Sequence, residues 1–370
     1  MTPEAFQVLR LRRAISQAAA SKYAALLRRE TDGRIRGAFQ YAGASRTNRW
    51  AGRGLQLQNL KRPPRGQDND EVAQSLLDGT FDSLYGGSQA MKVLGGAIRA
   101  AIAAGPGKRL VVRDLASIES RVLAWVSGDP ELTRVFAEGK DPYRDFASKW
   151  FHTPYDTVTK EQRNLSKPPS LGCGYGLGAE VLVQYAALRG ITMSEEEART
   201  AVGAFRGGYY RVPLSWREVE NAFAQAIAGT DTSNGLLTFR KEGRMVSIEL
   251  PSGRKMYYWD ARMSGDGIRY WGMDSFVHKW GELRTWGGKI VENLVQAIAR
   301  DVLANGMLLA ADRGLPVVFH VHDEIGVEVP ERTTKQADQI LKWAMERVPS
   351  WAPGLMLSSS GYISKRMRKD

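Results

Sequence analysis

Cysteine and histidine are scarce in this sequence, which holds one cysteine and four histidines among 370 residues. The single Cys173 excludes an internal disulfide, and no Cys/His cluster has the spacing of a structural zinc site. No run approaches the roughly 18 apolar residues that span a bilayer. The first residues, MTPEAFQVLRLRR, lack the order of a secretion signal. We therefore expect a soluble, intracellular protein without a membrane partner.

Acidic residues are rare at the N-terminal end. Residues 1–66 contain 14 lysines and arginines against three acidic residues, a net charge of +11, which leaves about +1 for the other 304 residues. A basic segment joined to a nearly neutral body favours a surface that lies along nucleic-acid phosphates. A solvated basic helix without a partner would carry the same charge, so that alternative stays open.

The order of helical and strand patterns predicts an α+β chain with a substantial core, since 43% of the residues are hydrophobic. Residues 6–29 contain no proline or glycine and predict one amphipathic helix that Asp32-Gly33 ends. The other expected elements are helices near 70–78, 88–104 and 288–312, largely helical segments over 130–228, and hairpins between 236 and 271.

Two aspartates each follow a short hydrophobic strand. Asp114 comes after the apolar run 109–112, and Asp323 lies at the tip of a predicted hairpin formed by VVFHV and IGVEV. If the two strands are neighbours in one sheet, the carboxylates converge, and converging carboxylates with no histidine or thiolate partner favour Mg²⁺ or Mn²⁺. Taken singly, each aspartate could equally be a helix N-cap or a turn residue.

Three ordered segments resemble motifs A, B and C of the family A DNA polymerases. They are DLASIESRVLAWVSGD at 114–129, RNLSKPPSLGCGYG at 163–176 and VHDEIGVEV at 321–329. Residues 44–60 look like the primer-template-binding stretch upstream of motif A. Residues 287–303 look like the helix before motif C in bacteriophage members. The resemblance therefore extends from about residue 34 to the C-terminus.

The resemblance implies a reaction centre in which Asp114 and Asp323 hold two Mg²⁺ ions, which Mn²⁺ can replace. Glu324 would be an auxiliary catalytic carboxylate, although a solvated hairpin charge is an open alternative. His322 matches a position near the primer terminus, but as a histidine in an apolar strand it could also be a packed ring.

Motif B implies the contacts to the incoming dNTP. Lys167 matches the cation for the triphosphate, with Arg163, Leu171 and Tyr175 on the same helix face, and Glu119 would close against Tyr175 to exclude a ribose 2′-hydroxyl. Two departures from the family pattern bear on this set. Pro168 and Pro169 predict a helix that begins near Pro168 rather than at Arg163, and Leu171 stands where many relatives have an aromatic residue.

For duplex binding, Arg49 and Gln296 match family positions that contact minor-groove acceptors near the primer terminus. Gln58 and Asn59 match a pair lining the same region. Each of these amides could instead satisfy buried backbone groups, so a purely structural role stays open.

We therefore predict a polymerase right-hand fold with an antiparallel-sheet palm, mostly helical fingers and a reduced or absent thumb. The expected domains are an N-terminal helix as thumb remnant (1–33), palm (34–128), fingers (129–284) and palm again (285–370). The expected function is template-directed DNA polymerisation on primer-template DNA from dNTPs, in the cytoplasm of a bacterial host or phage-infected cell.

Two other functions stay open: a catalytically idle nucleic-acid-binding module and an enzyme of the single-subunit RNA polymerase type. Acids are too few before Asp68 to form an exonuclease metal site. We therefore expect no 3′ to 5′ exonuclease activity, and weak processivity unless a separate chain supplies a thumb, exonuclease or clamp.

Overall fold

The N-terminal helix ends at Arg29, as the sequence predicts. The computed structural model describes residues 4–5, 18–64, 66–275 and 277–368, so residues 6–17 of that predicted helix lie outside the described residues. Helix α1 covers Ala18–Arg29. Strands β1 (Glu30–Thr31) and β2 (Arg34–Ile35) then pair antiparallel. Asp32-Gly33, both at positive φ, form the tight turn of this hairpin instead of ending the helix.

Short elements fill the rest of the first hundred residues. They are β3 (Phe39–Gln40), β4 (Ala51–Gly52), a 3₁₀ turn at Leu57–Asn59, α2 (Asn69–Leu77), α3 (Phe81–Tyr85), α4 (Ala90–Ala97) and a 3₁₀ turn at Ile98–Ala101. The helix predicted over 88–104 is therefore α4 followed by a tighter turn, and α3 was not anticipated.

Helices dominate the middle of the chain, as the sequence predicts. After β5 (Lys108–Leu115) they are α5 (Ile118–Ser127), α6 (Pro130–Ala137), α7 (Pro142–Phe151), α8 (Lys160–Leu165), α9 (Lys167–Gly172), α10 (Ala179–Ala187), α11 (Glu195–Gly208) and α12 (Arg211–Ile227). Asp129 caps α6 by accepting a hydrogen bond from the Leu132 amide, 2.8 Å away.

The predicted hairpins between 236 and 271 belong to a larger sheet. Its strands are β6 (Thr232–Ser233), β7 (Thr238–Glu242), β8 (Met245–Glu249), β9 (Lys255–Ser264), β10 (Gly267–Met273) and β11 (Trp280–Thr285). They pair in sequence order as an antiparallel meander. Its inner side, which includes Phe239, Ile248 and Tyr258, is buried in the main core with Phe223 of α12.

Helix α13 (Gly287–Asp312) is the long apolar helix predicted near 288–312. By length and composition it could cross a membrane, contrary to the expectation from the sequence. Most of its residues are buried in this protein, and Leu294 and Ile298 lie in the main core, so the apolar composition matches a central core helix. Gly314, at φ 77°, lies just beyond its C-terminal end.

A four-stranded antiparallel sheet completes the structure. Strands β12 (Val317–Val321), β13 (Glu324–Pro330) and β14 (Ser359–Ser364) join β5 in the order β12-β13-β5-β14, and α14 (Thr334–Glu346) lies between β13 and β14 in the chain. One face of the sheet contributes Val111 and Ile325 to the main core. The other face contributes Leu110 and Val112 to a second core beneath the N-terminal segment. Burial on both faces fixes the register, because a one-residue slip would exchange the two sets of side chains.

Candidate active site

The two aspartates lie at adjoining ends of neighbouring strands. In the pairing of β5 with β13, Asp114 is directly opposite Glu324, so Asp323 at the hairpin turn lies one residue beyond that pair. The Leu115 amide donates a hydrogen bond to the Asp323 carbonyl, 3.0 Å away. Asp114 and Asp323 also line the same cavity. The convergence that the sequence predicted is therefore present, with Glu324 as the register partner of Asp114.

This cavity, of about 620 Å³, brings together seven of the predicted site residues: Asp114, Asp323, Glu119, His322, Arg49, Gln58 and Leu171. Five of the other predicted residues, Lys167, Arg163, Tyr175, Asn59 and Gln296, are not part of its lining, and neither is the buried Glu324. The set that the sequence treated as one site is thus divided between the wall of this cavity and its surroundings.

An ion pair joins two of the lining residues. The Arg49 guanidinium donates to the Glu119 carboxylate at 3.0 Å, and both side chains are partly buried. Glu119 lies in the first turn of α5. Arg49 belongs to a loop that is closed by a hydrogen bond from the Ala44 amide to the Arg49 carbonyl, 3.0 Å away. Burial raises the pKa of Tyr175 well above its usual value; the charge of Glu119 raises that pKa further, and that of Arg49 opposes it. Tyr175, Glu119 and Arg49 therefore lie close enough to interact electrostatically.

Arg99 is a buried cation at this site that the sequence analysis missed. Its side chain also lines the cavity and donates to the Leu60 carbonyl at 2.8 Å. Burial lowers its pKa, and the charge of Glu324 opposes that effect. A guanidinium near two opposed carboxylates offsets their repulsion. The available signal was a lone charge in the apolar run GGAIRAAIAAG.

Comparison with known proteins identifies the family. A sequence model of DNA polymerase family A matches residues 5–236, more than half of the chain. The chain belongs to DNA polymerase family A. The resemblance seen in its motifs is thereby confirmed.

Among the relatives of this family A chain, the DNA polymerase of Bacillus phage SP02 is 35% identical over 381 residues, covering 98% of this chain and 57% of that protein. The thermostable DNA polymerase I of Thermus thermophilus is 29% identical over 259 residues, covering 69% of this chain and 26% of that protein. The chain therefore spans about half the length, or less, of these relatives.

A solved structure supports the fold. The POL domain of Pol1 from M. smegmatis, in complex with DNA primer-template and dNTP, matches with a TM-score of 0.63 at 24% identity. The match covers 94% of this chain and 51% of that one. The predicted right-hand polymerase fold, with an antiparallel sheet and many helices, is thus confirmed.

Motif B of this family A chain is broken into short pieces. Helix α8 ends at Leu165, α9 covers Lys167–Gly172, and a 3₁₀ turn covers Cys173–Tyr175. The helix start predicted near Pro168 is therefore right to within one residue, because both prolines occupy the first turn, where no intrahelical donor is needed. Within the described part of the chain, no carboxylate forms a salt bridge with Lys167.

Arg163 forms an ion pair with a carboxylate and is not part of the cavity lining. Its guanidinium donates to Asp141 at 2.5 and 2.8 Å and lies over the ring of Tyr143, 5.5 Å from the ring centroid. Asp141 also caps α7. Tyr143 lines the cavity, which the sequence did not predict. Arg163 is therefore held in an ion pair, whereas Lys167 has no salt bridge within the described residues.

The packed histidine of this hairpin is His320, one residue before motif C, and not His322. His322 is an exposed turn residue at φ 56°, with its Nε2 atom 3.1 Å from the Gln58 carbonyl. His320 is buried against Phe39 and Trp50, with ring centroids 4.4 and 4.7 Å away. Burial lowers the pKa of His320 to about 4, and the charge of Arg300 adds to this effect. At neutral pH this ring is therefore an uncharged core group.

The predicted amide pair Gln58 and Asn59 divides between two clefts. Gln58 lines the main cavity, whereas Asn59 lines a cleft of about 870 Å³ beside Lys22, Arg28 and Arg29. The pair lies in a 3₁₀ turn, which rotates successive side chains by about 120° and so points them apart.

Gln296 lies on α13, where its amide donates to Glu292 at 3.3 Å. Arg300, one turn further along α13, lines a small cavity together with Arg49 and Gln58. The arrangement therefore brings the helix that carries Gln296 close to Arg49, although Gln296 itself does not line either cavity.

The donor set at the strand ends fits a hard cation. Within the described ranges, no group of three or more His, Cys, Asp or Glu side chains forms a metal cluster. Mg²⁺, however, is usually held by one or two carboxylates, with waters and substrate phosphates filling the remaining positions. Two aspartates beside a third, buried carboxylate provide oxygen ligands of that kind. The residues therefore suit Mg²⁺ or Mn²⁺ better than zinc.

Proposed function

We propose that this chain adds deoxynucleotides to the 3′-hydroxyl of a DNA primer under the direction of a template. The observation that carries the proposal is the convergence of Asp114 and Asp323 on one cavity, at the end of two neighbouring strands. Membership of family A supports it, as do the DNA primer-template and dNTP bound to the M. smegmatis domain.

Asp114 and Asp323 would hold the divalent cations, Mg²⁺ or Mn²⁺. When bound, such ions supply acidification of the primer hydroxyl and neutralisation of triphosphate charge. Glu324 and Arg99 support the two aspartates. The Glu324 carboxylate adds negative charge near the cations, and the buried Arg99 guanidinium limits the repulsion among the acids.

The nucleotide would lie between the strand ends and α9. Lys167, in the first turn of α9, supplies a point charge to the triphosphate. Leu171 and Tyr175 follow toward the base and sugar, and His322 flanks the cavity from the hairpin turn. Glu119, held by Arg49, would stand against the 2′ position of the sugar and favour deoxynucleotides. Arg163 would reach the triphosphate only by leaving Asp141.

The duplex would approach from the side of the basic N-terminal segment. Arg49, Gln58 and Gln296 are proposed to contact the minor groove near the primer end. Asn59 and the basic side chains of α1 would lie along a phosphate backbone, because their cleft presents three cations. The same proposal includes the domain boundaries expected for the palm, the fingers and the thumb remnant. It also includes a separate chain that completes the thumb, exonuclease or clamp.

Primer extension with Mg²⁺ tests the proposal directly. We expect extension of a short primed template by the unmodified chain and at least a 100-fold loss of rate in Asp323→Ala with DNA binding retained. Asp312→Ala, which removes an exposed aspartate at the end of α13, is the matched control. Near-normal extension by Asp323→Ala would refute the assignment. A preference for rNTPs over dNTPs would favour an RNA polymerase instead.

A further inference from the structure

The outer face of the six-stranded sheet is exposed and rich in aromatic side chains. Strand alternation places Tyr257, Trp259, Trp271, Met273 and Trp280 on the side opposite the buried Met256, Tyr258, Ile268 and Tyr270. All five of the outer side chains are among the exposed large hydrophobic residues of the protein. An exposed aromatic surface of this kind marks an interaction site more often than it marks chance exposure.

Arginines form a row across the same face. Arg269 of β10 is directly opposite Arg262 of β9 on one side and Arg284 of β11 on the other. Like charges in opposed positions are unfavourable. Glu282 accepts hydrogen bonds from both Arg262 and Arg269, and Asp266 also accepts from Arg269, so two carboxylates compensate only part of the charge of the three arginines. Within the described residues, no carboxylate forms a salt bridge with Arg284.

The tryptophans form a second row beside the arginines. Trp271 is directly opposite Trp259 in the pairing of β10 with β9, and Met273 is opposite Trp280 in the pairing with β11. The guanidinium of Arg244 lies over Trp259, 5.6 Å from the ring centroid. Aromatic rings next to arginines are the combination that binds single-stranded nucleic acid, because bases stack on the rings while arginines meet phosphates.

This face continues to the motif B turn through Trp286. The edge strand β11 places Trp280, Glu282 and Arg284 on the outer side. The exposed Trp286, two residues after Arg284, is also extended and therefore lies on the same side. Gly288 allows close packing there, since a Cβ atom on it would lie 2.5 Å from the Tyr175 carbonyl and 3.2 Å from the Trp286 indole nitrogen. Trp286 therefore lies beside the turn that carries Tyr175.

We propose that this face, defined by Trp259, Trp271, Trp280, Trp286 and the arginine row, binds the single-stranded template ahead of the templating base. The proposal rests on the proposed function, in which Tyr175 lies toward the base of the incoming nucleotide and therefore beside the template base that pairs with it. From Trp280 to Trp286 the strand spans about 20 Å at about 3.3 Å per residue. That length accommodates about six stacked nucleotides at about 3.4 Å each.

Fluorescence anisotropy with labelled primer-template DNA tests the proposal. Two substrates share one duplex and differ only in a template overhang of one or eight nucleotides. We expect the longer overhang to strengthen binding by the unmodified protein about tenfold or more, and Trp271→Ala and Trp280→Ala each to remove most of that gain. Arg284→Gln should lower the salt dependence of the gain, because one phosphate contact is lost.

Matched controls remove an exposed tyrosine and an exposed arginine elsewhere, as Tyr210→Ala and Arg199→Gln. They should keep the full gain. An unchanged gain in both tryptophan variants would overturn the proposal. Sedimentation of Trp280→Ala tests a second copy of the chain as the occupant. If this variant keeps the full gain in DNA affinity from the longer overhang but changes from a dimer to a monomer, the face belongs to a dimer interface instead. Extension on the one-nucleotide overhang tests the proposed function separately, so the two failures are distinguishable.

Discussion

Replacing Arg49 with alanine would remove the guanidinium that pairs with Glu119. The loss should reach beyond primer binding, because within the described residues Arg49 is the hydrogen-bond donor that holds the Glu119 carboxylate. A glutamate freed from this partner samples more rotamers and, in the role proposed for Glu119, would exclude a 2′-hydroxyl less strictly. We therefore expect Arg49→Ala to lower discrimination against ribonucleotides.

The expected size follows from the geometry of the pair. Two unit charges about 4 Å apart interact by about 4 kcal/mol at an effective dielectric of about 20. Both side chains keep contact with solvent, at 24% and 31% exposure, and exposed pairs contribute about 1 kcal/mol or less. An intermediate value of about 1 to 2 kcal/mol corresponds to about a five- to thirtyfold fall in discrimination.

The assay is the ratio of kcat/KM for dATP to that for ATP on one primer-template. It is measured for the unmodified chain, Arg49→Ala, Glu119→Ala and the double variant. If Arg49 acts through Glu119, the double variant should discriminate no less than Glu119→Ala alone. The reasoning is refuted if Arg49→Ala slows both nucleotides equally and the two substitutions add independently.

Two further outcomes follow from the surroundings of the cavity. Lys167→Ala should raise KM for dNTPs about tenfold or more, whereas Lys160→Ala, an exposed lysine on α8, should not; equal KM values would contradict the triphosphate role. The pKa of His320 lies at about 4 in the folded protein and at about 6.5 when unfolded, so its contribution to stability is full above pH 6.5 and is lost as the pH falls toward 4. In urea titrations, the free energy of unfolding of His320→Gln should fall less between pH 6.5 and pH 4 than that of the unmodified chain, by at most about 3 kcal/mol. The same fall in both proteins would refute the buried neutral ring.

Local patterns predicted the framework of the site well. Asp114 and Asp323 were expected at strand ends because each follows an apolar run, and the two strands pair directly. The pairing of β5 with β13 itself joins segments about 200 residues apart, which periodicity alone does not reveal. The family resemblance supplied that link, because it places the motifs with Asp114 and Asp323 in one palm.

Contacts between distant side chains were beyond the sequence. Nothing in the local pattern indicates that Asp141 holds Arg163, or that Arg49 holds Glu119, because long flexible side chains choose partners only after the backbone is fixed. The packed-ring alternative for His322 was wrong: His320 and His322 share one parity along the chain, but the turn begins at His322 and exposes it. The outer sheet face was missed because its strands were treated as separate hairpins.

The most direct test of the shared cation site is Mn²⁺ binding measured by electron paramagnetic resonance, with a chain-terminated primer-template and dATP present. Asp114→Asn and Asp323→Asn should each weaken Mn²⁺ binding at least about tenfold, because each removes one of the two converging carboxylates. Asp312→Asn should bind Mn²⁺ as the unmodified chain does. Unchanged Mn²⁺ binding by either Asp114→Asn or Asp323→Asn would contradict the claim that these side chains hold the same ions.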